Sequence, residues 1–423
     1  MSQLEVNKVI PQSGTTLTVG ESGDTITIPS GATFDASNAT TTLPSTVVTT
    51  TGTQTLTNKT IDASQLVDAS VSNAKLANSS ITLNGNAVSL GGTASIASGM
   101  FRNIIINGDM SIAQRGTSKA NVGFEYGTVD RFQTLQGGLG QFTQTQDSDV
   151  PTGQGFAKSL KMACTTADTS PASGDELYIR QIFEGQNLQY LKKGTANAQS
   201  LTVSFWVKSN KTGTYIVELF DLDNSRHINK SYTINSADTW EQKTITYAGD
   251  TTGTFDNDNG ASLHLAFMLG SGSDFNSGTL QTSWGTSTPA NRQVGQVNLA
   301  DSTSNYINIT GVQLEVGTIA SDFEFLPYDV NLQRCQRYYQ KFGSDVSGDF
   351  PLGRISNSSN FGIFSKILPI KMRTSPTGTI TVGDNGGAYV SRAVSESTEQ
   401  SVASDATEAT YADLGTLTLT AEL

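Results

Sequence analysis

Few side chains in this sequence are of a type and spacing that could do covalent chemistry. Glycoside hydrolysis needs two carboxyl groups facing each other across a bound sugar. The acidic pairs nearest to that pattern are Glu218 with Asp221 and Asp256 with Asp258. The first pair falls at the end of an apolar alternating run. The second sits in Asp256-Asn257-Asp258-Asn259-Gly260, which has the composition of a turn. Both therefore read as structural. The same turn resembles the opening of a calcium loop, but Phe267 stands where the bidentate glutamate should be, so no metal ligands are assigned. Of the two histidines, His227 and His264, His264 lies inside an apolar run and reads as a hydrogen-bonded strand residue rather than a base. The nucleophile-elbow, phosphate-loop, HExxH and dinucleotide-loop patterns are all missing. The chain is accordingly expected not to be an enzyme and to use no cofactor.

Binding chemistry is better represented. A pyranose ring presents C–H groups to a flat aromatic face and hydroxyls to polar side chains. Trp206 qualifies by its place in Leu201-Thr202-Val203-Ser204-Phe205-Trp206-Val207-Lys208, where it alternates against the apolar set. Packing under a loop or against a neighbouring subunit is the other reading of that residue. Trp284, in a Ser/Thr/Gly loop, qualifies by expected exposure, and Tyr389 is a third glycan-contact candidate. Trp240 begins a strand and is expected in the core. Asp130-Arg131 is read as an ion pair or hydrogen-bonded corner at a sheet edge.

The elements that must position these residues are β-strands. Besides the run at Leu201, strands are expected at Tyr215 to Leu222, Thr239 to Ala248, Leu263 to Leu269 and Tyr306 to Val316, separated by Gly/Asn/Asp-rich turns. Without a helical period between them, they predict a β-sandwich of the jelly-roll kind. In the last strand Ile307 and Ile309 share one parity while Val312, Leu314 and Val316 have the other, and a bulge at Gly311 would restore the face. Asn107-Gly108 between two apolar runs predicts a hairpin. After Pro327-Tyr328 the period changes to a helix of about three turns carrying Leu332, Cys335 and Tyr339, capped by Asp329 and ended by Gly343. Strands return beyond it, with Gly383-Asp384-Asn385-Gly386-Gly387 as a turn.

The first hundred residues differ. Phe34 is their one aromatic residue, and about half of their positions are Ser, Thr, Gly or Asn. Ordering each residue costs roughly 1–2 kcal/mol of backbone entropy, and only small apolar side chains are available to offset it. Either the stretch is disordered or it buries its apolar stripe against identical copies. The spacing of Ile26, Ile28, Val47, Leu56, Ile61, Leu66, Val71, Leu76, Ile81 and Leu90 favours assembly. The expected organisation is mainly β: an extended β shaft of identical copies over 1–100, a jelly-roll head over 101–328, a connecting helix over 329–342 and a small C-terminal β domain over 343–423.

A formal net charge of -12 and pI of about 4.7 argue against a nucleic-acid partner. No basic segment followed by an apolar run opens the chain, and no long apolar stretch follows, so neither a signal peptide nor membrane insertion is expected. Cys164 and Cys335 form no metal or disulfide pattern.

Several phrases resemble a known family. Thr55-Leu56-Thr57-Asn58-Lys59-Thr60, Val71-Ser72-Asn73-Ala74-Lys75-Leu76 and Leu90-Gly91-Gly92 are similar to phrases of phage tail-fibre shafts. Ile105-Ile106-Asn107-Gly108-Asp109, Gln114-Arg115-Gly116 and Asp130-Arg131-Phe132 are followed by Gly311-Val312-Gln313-Leu314-Glu315-Val316-Gly317, Phe323-Glu324, Pro327-Tyr328 and Cys335-Gln336-Arg337-Tyr338-Tyr339. In that order they resemble the carbohydrate-binding-module-like jelly-roll domain of tailed-bacteriophage tail fibres, with Phe132 where a Trp is commoner. The resemblance implies a homotrimer in the virion tail, made in the host cytoplasm. Its N-terminus would dock on the tail or an adaptor protein, and its head would recognise a host-surface glycan or protein. A structural connector without receptor contact and a glycan depolymerase are the alternative readings.

Overall fold

The computed structural model describes residues 101–342 without interruption, then 353–356, 361–383, 389–393, 396–397, 401–407 and 413–423; before residue 101 it describes 19, 22–25, 27–33, 62, 71–72, 76–83 and 86–92. The chain forms two units, Met1–Gly92 and Thr93–Leu423. In the first, β1 (Ser80–Leu83) and β2 (Asn86–Ser89) pair as an antiparallel hairpin. Ile28, Val71, Leu76 and Ile81 are all exposed, so one copy of the chain leaves these apolar side chains uncovered. The expected shaft otherwise lies outside the described residues.

The second unit begins with β3 (Ser118–Lys119), β4 (Gln133–Gly137), β5 (Gln141–Asp147), β6 (Ser159–Thr166), β7 (Glu176–Glu184) and β8 (Leu201–Ser209). It continues through β9 (Gly213–Asp221), β10 (Arg226–Ile234), β11 (Glu241–Tyr247), β12 (Ala261–Ser271), the single turn α1 (Ser273–Asn276), β13 (Gly285–Thr286) and β14 (Tyr306–Val316). These strands make two six-stranded antiparallel sheets, ordered β11-β8-β14-β6-β5-β3 and β13-β10-β9-β12-β7-β4. The chain crosses repeatedly from one sheet to the other, giving the expected jelly-roll sandwich.

Period-two alternation sets each face. From the first sheet Val203, Phe205 and Val207 point inward with no exposed surface. They meet Val217, Leu265 and Phe267 of the second sheet in one core, where Phe205 and Phe267 pack edge to face at 4.9 Å. β14 keeps its apolar face through a bulge: its register against β8 shifts between Thr310 and Gln313, and Gly311 sits at φ 61. Val312 and Leu314 thereby regain the inward face already occupied by Ile307 and Ile309.

The bulge also frees backbone groups for other partners. The Val312 N–H donates to Gly108 O, Asn103 Nδ2 donates to Val312 O and the Leu314 N–H to Asn103 Oδ1. This corrects the hairpin expected at Asn107-Gly108. Asn107 does turn the chain, at φ 62, but its flanks dock on β14 and on Asp130 O through Asn107 Nδ2 instead of pairing with each other.

The helix is also shorter than expected. α2 spans Tyr328–Gln336, Pro327 occupies its N-cap without a side-chain cap bond, and Asn331 and Cys335 form its buried side. Tyr339 is not helical: it opens β15 (Tyr339–Phe342). Beyond it come β16 (Gly353–Ser356), β17 (Phe361–Ile367), β18 (Thr377–Gly383), β19 (Tyr389–Ala393), β20 (Glu396–Ser397), β21 (Ser401–Thr407) and β22 (Asp413–Thr420). They form two four-stranded sheets, β15-β22-β18-β19 and β16-β17-β21-β20. The helix stops because Tyr339 pairs with Thr420, a partner that no local pattern announces. Among the described residues, no helix is long and apolar enough to cross a membrane.

At Gly311 a Cβ would come within 2.6 Å of the Phe156 ring at a positive φ. Gly311→Ala is expected to cost about 2 kcal/mol or more in denaturant unfolding. Gly123→Ala, where a Cβ meets nothing within 4 Å, should leave stability nearly unchanged.

Candidate functional site

The outer face of the first sheet is the candidate binding surface. Along β8 the residues opposite the core set are Thr202, Ser204, Trp206 and Lys208. Thr202 and Ser204 are buried, whereas Trp206 and Lys208 are half-buried. Trp206 stands between Gln242 of β11 and Thr310 of β14. Gln242, Thr244 and Thr246 are exposed on the same face of the edge strand, so hydroxyl and amide groups line one side of the indole.

Trp240 belongs to this face, not to the core as expected. Ile245 and Tyr247 point inward with little or no exposure, which places Gln242 and Trp240 outward. Trp240 is half-buried, and its Nε1 donates to Asp149 Oδ1 at 3.0 Å. Asp149 Oδ2 accepts from Lys208 Nζ at 2.7 Å. Burial alone would raise the Asp149 pKa, but the hydrogen bonds from Lys208 and Trp240 outweigh it and hold the carboxyl below its usual value. Tyr306, half-buried two positions before Asn308 on β14, extends the surface. Lys161 Nζ lies 5.0 Å from the Tyr306 ring and 3.3 Å from Asp147. Trp206, Trp240 and Tyr306 therefore share one face with hydrogen-bonding groups already oriented by one another.

The other sequence candidates lie elsewhere. Trp284 is half-buried and packs on the core, with its Nε1 donating to Ala248 O at 2.8 Å. The indole is half-buried, as Trp206 is, and sits on the side of the sandwich where β11 and β13 are edge strands. Tyr389 starts β19, and its side chain lies outside the described residues. The structure does not bring Trp206 and Trp284 to one site.

Beside Trp284 opens a groove of about 420 Å³ lined by Gln189, Lys192, Lys193, Thr195, Asn197 and Phe255, among others. A cation covers one side of its single lining ring, Phe255, and one side of Trp284 next to it. Lys193 Nζ stands 5.1 Å from the Phe255 ring and 5.7 Å from Trp284, and is held by Asp250 at 3.2 Å and by Thr252 O and Gly253 O at 2.9 and 2.8 Å. The groove therefore offers a sugar less stacking surface than the Trp206 face.

The acidic pairs do not converge. Glu218 and Asp221 are three apart on β9 and so point to opposite faces. Glu218 has no exposed side-chain surface. It accepts two bonds from Arg292 at 2.8 and 2.6 Å and faces His227 Nδ1 at 3.1 Å and His264 Nε2 at 3.2 Å. Burial works against its ionisation, but Arg292 and both imidazoles hold its pKa well below the usual value. Asp221 is bound to Lys193. Asp258 accepts from the Gly260 N–H at 2.7 Å in the expected turn. No metal-holding cluster of His, Cys, Asp and Glu occurs among the described residues.

No family model matches this sequence, and no curated protein matches it. Several solved structures show local likeness. A domain of tailspike protein 4 of bacteriophage CBA120 is 14% identical with a TM-score of 0.29, over 51% of this chain and 22% of that one. A family 11 carbohydrate-binding module from Clostridium thermocellum, solved with a mixed-linked tetrasaccharide, is 11% identical with a TM-score of 0.26, over 48% and 98% of the two chains. TmCBM61, solved with β-1,4-galactotriose, is 9% identical with a TM-score of 0.25, over 51% and 99%.

The buried imidazole has a measurable consequence. Burial pushes the His264 pKa from 6.5 down to about 4 against the opposing pull of Glu218. The folded state therefore disfavours the proton, so this contribution to stability is complete above the unfolded value and is lost as pH falls from about 6.5 toward 4. Wild-type protein is expected to lose about 3 kcal/mol more than His264→Gln between pH 7 and pH 4, read by urea titrations at each pH.

Proposed function

We propose that this chain is a tail-fibre protein of a tailed bacteriophage that attaches the particle to its host by binding a surface glycan, without enzymatic action. The observation that carries the glycan reading is the partly exposed patch on the outer side of the first sheet. There Trp206, Trp240 and Tyr306 are partly exposed beside Gln242, Lys208 and Asp149. Aromatic faces next to preorganised donors and acceptors are what a pyranose ring requires. Trp206, Lys208, Gln242 and Tyr306 stand on strands, and Trp240 and Asp149 on loops tied to them by hydrogen bonds, which keeps their spacing fixed.

The fibre reading rests on the first hundred residues and on the phrases shared with phage fibres. Small apolar residues such as Ile28, Val71, Leu76 and Ile81 find no cover within one copy, and two further copies would supply it. A homotrimer presents three heads, so weak single sites suffice for adsorption. The N-terminal region would attach to the tail or an adaptor, placing the protein in the virion tail after synthesis in the host cytoplasm.

Trp206→Ala is expected to weaken glycan binding at least about tenfold, the loss of roughly 1.4 kcal/mol, with the unfolding temperature unchanged. A glycan array followed by titration of the strongest hit checks this. Failure of the wild-type protein to label host cells or any glycan would favour a bracing connector instead, and release of reducing sugar would favour a depolymerase. Light scattering of the full chain should give three times the 44.7 kDa of one copy; a folded monomer would count against the shaft.

A further inference from the structure

The second sheet carries an arginine that the sandwich does not use. Arg180 of β7 sits directly across from Gln133 of β4, and its Nε donates to Gln133 Oε1 at 2.8 Å. That bond fixes the plane of the guanidinium. Its two Nη atoms make no hydrogen bond among the described residues, and no described carboxylate forms an ion pair with it. The nearby acids are engaged elsewhere: Glu125 with Lys119 at 3.4 Å and Glu176 with Arg292 at 3.7 Å. Two rings flank the group, Tyr178 at 5.8 Å and Phe124 at 5.6 Å. Tyr178 is buried at 4% exposure, while Phe124 is 63% exposed.

We infer that Arg180 and Phe124 form a second binding site, on the opposite outer face of the sandwich from Trp206, for an acidic sugar of the uronic-acid class. An oriented guanidinium with both Nη atoms available matches a carboxylate bidentately. The exposed Phe124 ring offers a face to pyranose C–H groups. In a uronic acid the carboxylate is bonded to the ring carbon, so a single residue can engage both groups at a fixed spacing. An aspartate or glutamate side chain of a peptide carries no such C–H face. The net charge of -12 repels anions in general, so an acidic ligand needs a cation that, like this one, forms no ion pair of its own among the described residues. The site does not depend on the Trp206 face and is separable from it.

The test uses the full chain and trigalacturonic acid, with its methyl ester as the neutral probe, in calorimetric titrations. The acid should bind at least tenfold more tightly than the ester, and less tightly as salt is raised. Arg180→Met and Phe124→Ala should each lose tenfold or more for the acid, with unchanged thermal unfolding, while Trp206→Ala should retain acid binding. Equal binding of acid and ester, no saturable binding of the acid, or an Arg180→Met variant that binds as well as wild type would overturn the site. Polyglutamate binding as tightly as the uronate would overturn the sugar class, and equal loss in Trp206→Ala would overturn its independence.

Discussion

A guanidinium taken out of water must be met by charge and hydrogen bonds, or the site that encloses it will not form. Arg131 is 1% exposed and lies against the Tyr338 ring, with its Cζ 3.5 Å from the centroid. It pairs with Glu422 and donates to Ile182 O at 2.7 Å. One side chain thus binds a corner of the jelly roll, the residue just past α2 and the chain beyond β22. Neighbouring charges are satisfied in the same place. Arg337 and Tyr338 bind Glu184 at 2.7, 2.6 and 2.5 Å. Arg115 joins Glu422 at 2.9 Å and lies 3.7 Å from the centre of the Tyr339 ring. Removing Glu422 or Glu184 would leave Arg131 or Tyr338 without its partner, so these two carboxylates are the members the cluster depends on most.

That cluster closes one edge of the sandwich, which leaves the outer faces to differ. On the second sheet, the stretch from Gly272 to Val297 is tied down by Arg292 on Glu218, by Gln281 Nε2 on His227 O and by Asn229 Nδ2 on Arg292 O. Tyr178, Ile216, Ala266 and Met268 make a small apolar cluster on that face, with Leu280 packed against it. Arg180 and Phe124 lie toward the opposite edge, at β4. On the first sheet the segment after β5 is bound through Asp149 to Lys208 and Trp240 and through Lys158 O to Thr310, yet Trp206 and Trp240 stay partly exposed. The same core therefore supports two partly covered surfaces, one with a polar-aromatic patch at Trp206 and one with an accessible corner at Arg180.

Much of this was legible wherever a rule acts locally. Alternation placed Val203, Phe205 and Val207 inward and Trp206 outward, and the change of parity along Tyr306 to Val316 located the bulge at Gly311. Trp240 was misread because a large aromatic at a strand start resembles core. Counting back from Ile245 and Tyr247 gives its outward side, so the signal was present. Other features had no local signal. Tyr339 leaves the helix for Thr420, the flanks of Asn107 turn to β14 and Asp130, and Trp284 is covered by a backbone carbonyl from another loop. Nothing in the sequence around Arg180 marks it, because what distinguishes it is the pairing of Glu125 and Glu176 with other cations.

The phrases that resemble phage fibres also acquire a physical meaning. Asp109 accepts from Asn331 at 3.0 Å, Gln114 donates to Asp130, Gly108 accepts from Val312 and Glu324 binds the backbone of Phe101 and Asn103. Distant in sequence, Gly108, Asp109 and Gln114 meet Val312, Asn331 and Asp130 beside Arg131, while Glu324 ties the chain at Phe101 and Asn103 to the segment after β14. Their spacing is therefore a signature of how this sandwich is closed, and carries no information about a ligand. Recognition would reside in groups outside those phrases: Trp206, Trp240 and Tyr306 on one face, Arg180 and Phe124 on the other. A scaffold built this way can keep its closure while its outer faces change ligand, since the charges that hold the edge and the rings that would meet a glycan share no side chain.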